Sequence, residues 1–255
     1  MANDDHEEND DDRADVATAP STGADALDEL ARFVPQDLRD LYEVHSYRHA
    51  ASILWNSHPN EFREIADALR AFRLTRADIQ AAGGNESDIV KRMTALLRPL
   101  DWHETRISAD LAVIKEIRRK VERRSKTGNV RYESQKERIT VDIPNFVDGH
   151  KVDFVKNRVA FDMEWNSKDQ TFDRDLYAFR TFYDCSLISA GILLTRGASL
   201  NRVFDVMGDD VKKKFGASTT WMGKLLFRLN AGRNGGCPVL VFGITPRVMT
   251  DWTQP

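Results

Sequence analysis

Cysteine is scarce in this 255-residue chain: only Cys185 and Cys237 occur, far apart in sequence. That excludes a disulfide framework and any CxxC metal or redox site, and it points to a reducing, cytoplasmic setting. Long apolar runs are missing as well. None approaches the roughly 18 residues of a membrane span, and the acidic N-terminal stretch lacks the apolar segment of a secretory signal. No glycine-rich phosphate loop appears, and Gly235-Gly236 reads as a turn before a strand. No Ser/His/Asp arrangement for nucleophilic catalysis is visible. His45 and His49, four apart on an expected helix, lack both a third ligand and an HExxH pattern, so they read as surface histidines.

What is present is an uneven charge. Residues 1–30 hold eleven acids against one base, Arg13, for a net of −10, and they lack aromatics. Such a segment cannot bury enough apolar surface to offset its ordering entropy, so it reads as a disordered acidic tail. The rest of the chain carries 36 bases and 29 acids, net +7. A mildly basic body suits an anionic partner such as nucleic acid. It is long enough for one domain, expected over 31–255.

Hydrophobic spacing reads residues 31–128 as mainly helical. Leu38, Leu41 and Val44 begin one face, and Phe62, Ile65, Ala66 and Leu69 recur at helical intervals. Asn85 followed by Asp88 can cap a helix that Pro99 stops. A further helix is expected over 108–126, with Val113, Ile117 and Val121 as its apolar stripe. Lys115, Arg119, Arg123 and Lys126 recur on another side. They form either a solvated face or a stripe that tracks phosphates.

From residue 139 the pattern turns to strands, so that 139–250 reads as a sheet core. Ile139–Ile143 alternates. Val152–Val155 and Val159–Trp165 look like a hairpin about Asn157, and Asp173 opens an aromatic helix. Ile188–Thr195 and Val239–Ile244 are apolar enough for strands covered on both faces. The order predicts an α/β fold: a mixed sheet flanked by helices behind a helical N-terminal part.

The hairpin carries the chemistry. Strand side chains alternate, so Val159, Phe161, Met163 and Trp165 share one face while Asp162 and Glu164 share the other. If the connection is the four residues 156–159, Asp153 lies opposite Asp162 on the same face. Three carboxylates then converge and repel each other unless a cation neutralises them. Mg²⁺ favours one or two carboxylates with water and substrate phosphate oxygens. The plain alternative is an acidic strand edge balanced by Lys156, Arg158 and Lys168.

Asp153, eight residues, then Asp162-x-Glu164 resembles the PD-(D/E)xK nuclease motif. DFVKNRVAFDME over 153–164 is similar to the catalytic hairpin of the BglII/BstYI type II restriction endonucleases. The segment from Gly223 through Gly232-Arg233 to Val239–Pro246 resembles the end of those enzymes, and EFREIADAL and LDWHETRI extend the likeness upstream. It covers most of residues 40–247 and leaves out the tail.

The resemblance implies a PD-(D/E)xK restriction-endonuclease-like core that hydrolyses DNA phosphodiesters with one or two Mg²⁺ ions per site. It implies a homodimer on a short palindrome, with GATC as a candidate core, paired with a cognate DNA methyltransferase. Asp153, Asp162 and the main-chain carbonyl of Met163 would be metal ligands, with Glu164 where the motif's name has lysine. In the similar BglII and BstYI that place resembles a glutamine, and in BamHI a glutamate. An upstream acid is left open among Glu104, Glu116, Glu133 and Glu137. Lys168, after Asn166 and Ser167, is a candidate for the scissile phosphate, and Ser218, Thr219, Thr220 and Lys224 are candidate DNA contacts near an expected helix cap. Lys212–Lys214 would meet the DNA backbone or solvent. Another nuclease of this superfamily, or a non-catalytic DNA-binding protein of the same fold, stays as the alternative.

Overall fold

The computed structural model describes residues 23–81 and 87–253. Most of the expected tail and the Asn85 cap lie outside them. The chain is already tied into the fold before residue 30. Ala24 bridges to Tyr47, and helix α1 (Leu27–Phe33) buries Leu30. The eight tail residues from 23 to 30 therefore belong to the folded part.

Helix α2 (Gln36–Leu41) leads into strand β1 (Tyr42–Tyr47). Helices α3 (Ala50–Ser57), α4 (Pro59–Ala71), α5 (Arg76–Gln80) and α6 (Asp88–Leu97) follow. Ser87 caps α6 by accepting from the Val90 amide at 3.3 Å. The expected helical stretch is thus interrupted by a strand. Val44 and His45 sit on β1, and His49 precedes α3 in a left-handed conformation, so the two histidines do not share a helix.

The second correction is larger. The expected helix 108–126 is a strand: β2 spans His103–Arg124 and its partner β3 spans Val130–Lys156. The reason lies in the spacing. Val113, Ile117, Val121 and Lys115, Arg119, Arg123 recur every four residues, an interval that fits period 2 as well as period 3.6. Ile107, Val113, Ile114, Ile117 and Val121 are β-branched and stiff at χ1, which favours the pleated form.

Strand β4 (Val159–Glu164), helix α7 (Thr171–Asp184) and strand β5 (Ala190–Arg196) follow. Helices α8 (Leu200–Met207), α9 (Asp209–Lys214) and α10 (Met222–Asn230) precede the last strand, β6 (Val239–Ile244). The strand order is β1-β6-β5-β4-β3-β2. β4, β5 and β6 run parallel, while β1 and β3 pair antiparallel to their neighbours. This is the expected mixed sheet flanked by helices.

Contacts divide the chain into two compact units. One holds the residues up to Thr105 and from Lys151 onward; the other is Arg106–His150. The expected parts 31–128 and 139–250 cut across this division. In the first unit, Val159, Phe161, Met163 and Trp165 join Ile192, Leu194, Leu240 and Phe242 in a core with α1–α6. Each such buried side chain contributes about 1.5–3 kcal/mol. On the opposite sheet face, Ala160 pairs with Gly191. A Cβ on Gly191 would stand 2.3 Å from the Phe179 ring, so the glycine lets α7 lie close. The second unit is a two-stranded ribbon whose side chains are exposed over most of its length. No described helix is long and apolar enough to cross a membrane.

Candidate active site

The hairpin places the acids. Lys156 pairs with Val159 and Phe154 with Phe161, leaving Asn157 and Arg158 as a two-residue turn. Asn157 takes a positive φ of 50°, which asparagine tolerates better than most residues. One register step further, the Asp153 amide donates to Asp162 Oδ1 at 2.7 Å. The two aspartates are therefore neighbours across the strands.

Beside Asp153 lies a cleft of about 780 Å³, lined in part by Asp153, Glu164, Glu104, Arg98, Asn166 and Lys214. Asp153 is exposed at its mouth, whereas Asp162 and Glu164 are 4% and 8% exposed. Met163 buries its side chain in the core, and it also lines the cleft. Of the four acids left open upstream, Glu104 is in the cleft, where Lys151 Nζ donates to it at 2.8 Å. Glu116, Glu133 and Glu137 belong to the ribbon, and the last two are paired with Arg123 and Arg119.

The sequence reading missed Asp175 and Arg174. Asp175, on α7, is 3% exposed and within hydrogen-bonding reach of Glu164. Arg174 Nη2 stands 3.2 Å from Asp175 Oδ1 and 3.5 Å from Glu164 Oε1. A signal was present: Asp175 falls one helical turn before Phe179 on the buried face, where an acid needs a reason. Burial pushes Asp162 and Asp175 well above the usual carboxylate range. For Asp162 the charges of Asp175, Asp153 and Glu164 add to the effect; for Asp175, Glu164 does. Desolvation raises Glu164 too, opposed by a hydrogen bond from Ser167 and by Arg174. Asp153 is raised by desolvation, with Arg174 opposing.

Two of the three cations expected to balance the acids, Lys156 and Arg158, are engaged elsewhere. Lys156 donates to Glu64 at 2.7 Å and to the Leu100 carbonyl at 2.8 Å. Arg158 holds Ser189 and the Ser186 carbonyl. The acid cluster is thus under-neutralised within the chain, and its oxygen donors fit a hard divalent cation.

Lys168 is exposed and bridges to Thr219. The Asp169 amide donates to the Ser218 carbonyl at 2.9 Å, and the Thr220 amide to the Ser167 carbonyl at 2.8 Å. These bonds hold the loop after β4 against residues 218–220. Ser218, Thr219 and Lys224 are half-buried. Thr219 Oγ1 donates to the Gly216 carbonyl at 2.7 Å and accepts from Arg196. Thr220 is wholly buried, so its hydroxyl cannot meet a base edge, and that expected contact is withdrawn. Neither threonine caps α10, whose cap position is Trp221. Lys214, on the cleft wall, donates to the Ile79 carbonyl at 2.9 Å, and burial lowers its pKa. Lys212 lies 4.0 Å from Asp205, and Lys213 is exposed.

One described Asp/Glu/His group, Asp25, Glu29 and His49, has ligand atoms within 4.8 Å of one another and could coordinate a divalent metal. Its atoms already serve the fold. Asp25 accepts from Ser46 Oγ at 2.6 Å and from the His49 amide at 2.8 Å, while Glu29 meets His49 Nδ1 at 2.9 Å.

A mixed sheet with helices on both faces and acids delivered by an antiparallel hairpin defines a PD-(D/E)xK-like core. The family description "Restriction endonuclease BglII/BglIII" matches residues 42–244. The chain therefore belongs to this restriction endonuclease family and is a nuclease of the BglII-like kind. No curated protein matches it.

Proposed function

We propose that the protein is a type II site-specific deoxyribonuclease that hydrolyses double-stranded DNA with Mg²⁺, as a homodimer on a short palindrome. The observation that carries this reading is that Asp153 and Glu164 line one cleft while Asp162 is held against Asp153 just behind it, in a chain of this family. Asp153, Asp162 and the Met163 carbonyl would hold the metal, one or two ions per site. When bound, Mg²⁺ supplies Lewis acidity at the phosphate and lowers the pKa of nearby water.

The chain's own groups divide the remaining work. Glu164 accepts the proton of the attacking water, oriented by the Ser167 hydrogen bond and by Arg174. Arg98 and Lys214 on the cleft wall offset phosphate charge. Glu104, beside Asp153, is the additional acid on the metal side. Lys168, Ser218, Thr219 and Lys224 contact DNA near the loop after β4. A GATC-containing palindrome is the proposed site, and a cognate methyltransferase in the same cytoplasm protects host copies.

Digestion of a mapped plasmid in Mg²⁺ tests the reading. Discrete bands support it, and a smear indicates a nuclease of lower specificity. Binding without cleavage in Mg²⁺ or Mn²⁺ indicates a non-catalytic DNA-binding protein. Sequencing the ends of the fragments reads out the site and stagger.

A further inference from the structure

The ribbon of β2 and β3 pairs its charges across the strands on one face more than on the other. Between Lys115 and Arg138 it carries ten lysines and arginines against four glutamates, a net of +6. Arg119 reaches Glu137 and Arg123 reaches Glu133, each at 3.2 Å across the strands. Odd-numbered residues of both strands therefore share one face, because strand side chains alternate. On that face Arg119 and Arg123 are matched by acids, and Lys115 and Arg131 are the remaining cations.

The even-numbered face differs. Its cations are Arg118, Lys120 and Arg124 from β2 and Lys136 and Arg138 from β3, against the acids Glu116 and Glu122. Arg124 pairs with Glu122 at 2.9 Å. Arg118, Lys120, Lys136 and Arg138 form no ion pair among the described residues, and all four are exposed. Within each strand the two cations stand two residues apart, about 6.6 Å. That is close to the roughly 6.8 Å of axial rise over two phosphate steps along one strand of B-DNA.

We infer that the even-numbered face of this ribbon is a second DNA surface, separate from the cleft, which binds the phosphate backbone regardless of sequence. The inference rests on the nuclease reading above and adds to it where sequence-independent affinity resides. Charge decides the occupant. A polyanion is attracted to the face, whereas a second copy of the chain would bring the same +6 against it.

The test uses the full chain and a random DNA duplex in chelator, so that no cleavage occurs. Affinity is measured against salt for the wild type and for Arg118→Gln/Lys120→Gln/Lys136→Gln/Arg138→Gln. The control is Arg119→Gln/Arg123→Gln/Glu133→Gln/Glu137→Gln, which leaves net charge unchanged. Each lost phosphate contact lowers the slope of log affinity against log salt by about 0.9. The even-face variant should be shallower by about three to four and bind at least about tenfold more weakly at moderate salt. The control should keep the wild-type slope. Single even-face substitutions should each remove about one unit, so the result does not depend on the fourfold variant folding. A wild-type slope in the even-face variants overturns the inference. So does an unchanged slope with altered sedimentation, which would assign the ribbon to self-association. If the wild type shows no salt-dependent DNA binding, the nuclease reading itself falls.

Discussion

Strand β4 and the ribbon strands are the same secondary structure put to opposite uses. Every residue of β4 is buried, apolar on one face and carrying Asp162 and Glu164 on the other. The stretch of β3 from Val130 to Phe146 is exposed throughout. In β4 a carboxylate loses its water and must find a partner or take up a proton. On the ribbon a charge stays hydrated and is worth little until a partner arrives. Charge on a strand is therefore expensive and chemically poised in the first place, and cheap but available for long-range attraction in the second.

Substitutions should widen that contrast. Asp162→Asn should reduce Mg²⁺-dependent cleavage by more than about a thousandfold without lowering thermal stability, because it removes a buried charge that Asp175, Asp153 and Glu164 repel. Full activity in this variant would sink the site assignment. Next in size, Phe161→Ala should cost about 3–5 kcal/mol of unfolding free energy. Ile139→Ala on the ribbon, where the side chain is 38% exposed, should cost under about 1 kcal/mol. Denaturant titration of the two compares core and ribbon directly.

The acids also give the metal-free protein a pH dependence. Asp162, Glu164 and Asp175 have raised folded-state pKa values. The folded chain then holds protons that the unfolded chain has released, so stability falls as pH rises from the ordinary carboxylate range through the raised values. Urea unfolding across a pH series in chelator should show that fall, and Asp162→Asn should flatten it. The smallest effect belongs to the ribbon. A double-mutant cycle on Arg119 and Glu137 should return no more than about 0.5 kcal/mol, and a coupling of several kcal/mol would mean that the ribbon is not solvated as described.

Much of the candidate site was legible because alternation on β4 is unambiguous: Phe161 and Met163 mark one face, so Asp162 and Glu164 mark the other. The hairpin followed from Asn157 between two apolar runs. What escaped the sequence did so for particular reasons. The interval of four that runs through Val113, Ile117 and Val121 serves a helix and a strand alike, so the ribbon read as a helix. Asp175 contacts Glu164 only once α7 packs on β4, a tertiary neighbour that local spacing cannot show. Likewise, Glu104 stands apart from Glu116, Glu133 and Glu137 only when β2 leaves the first unit after Thr105. Thr220 looked available because a Gly-Ala-Ser-Thr-Thr segment reads as a loop. Its burial depends on the bonds to Ser167 and Arg196.

The two-residue turn at Asn157 and Arg158 ties catalysis to assembly. Because β4 has a different chemistry on each side, a slip of one residue against β3 would turn Phe161 toward the acids' side and drive Asp162 into the core. A misregistered hairpin would lose its active site and its core in the same event, so an inactive but well-packed state is not on offer. This makes the turn the place where a single inserted residue does the greatest harm.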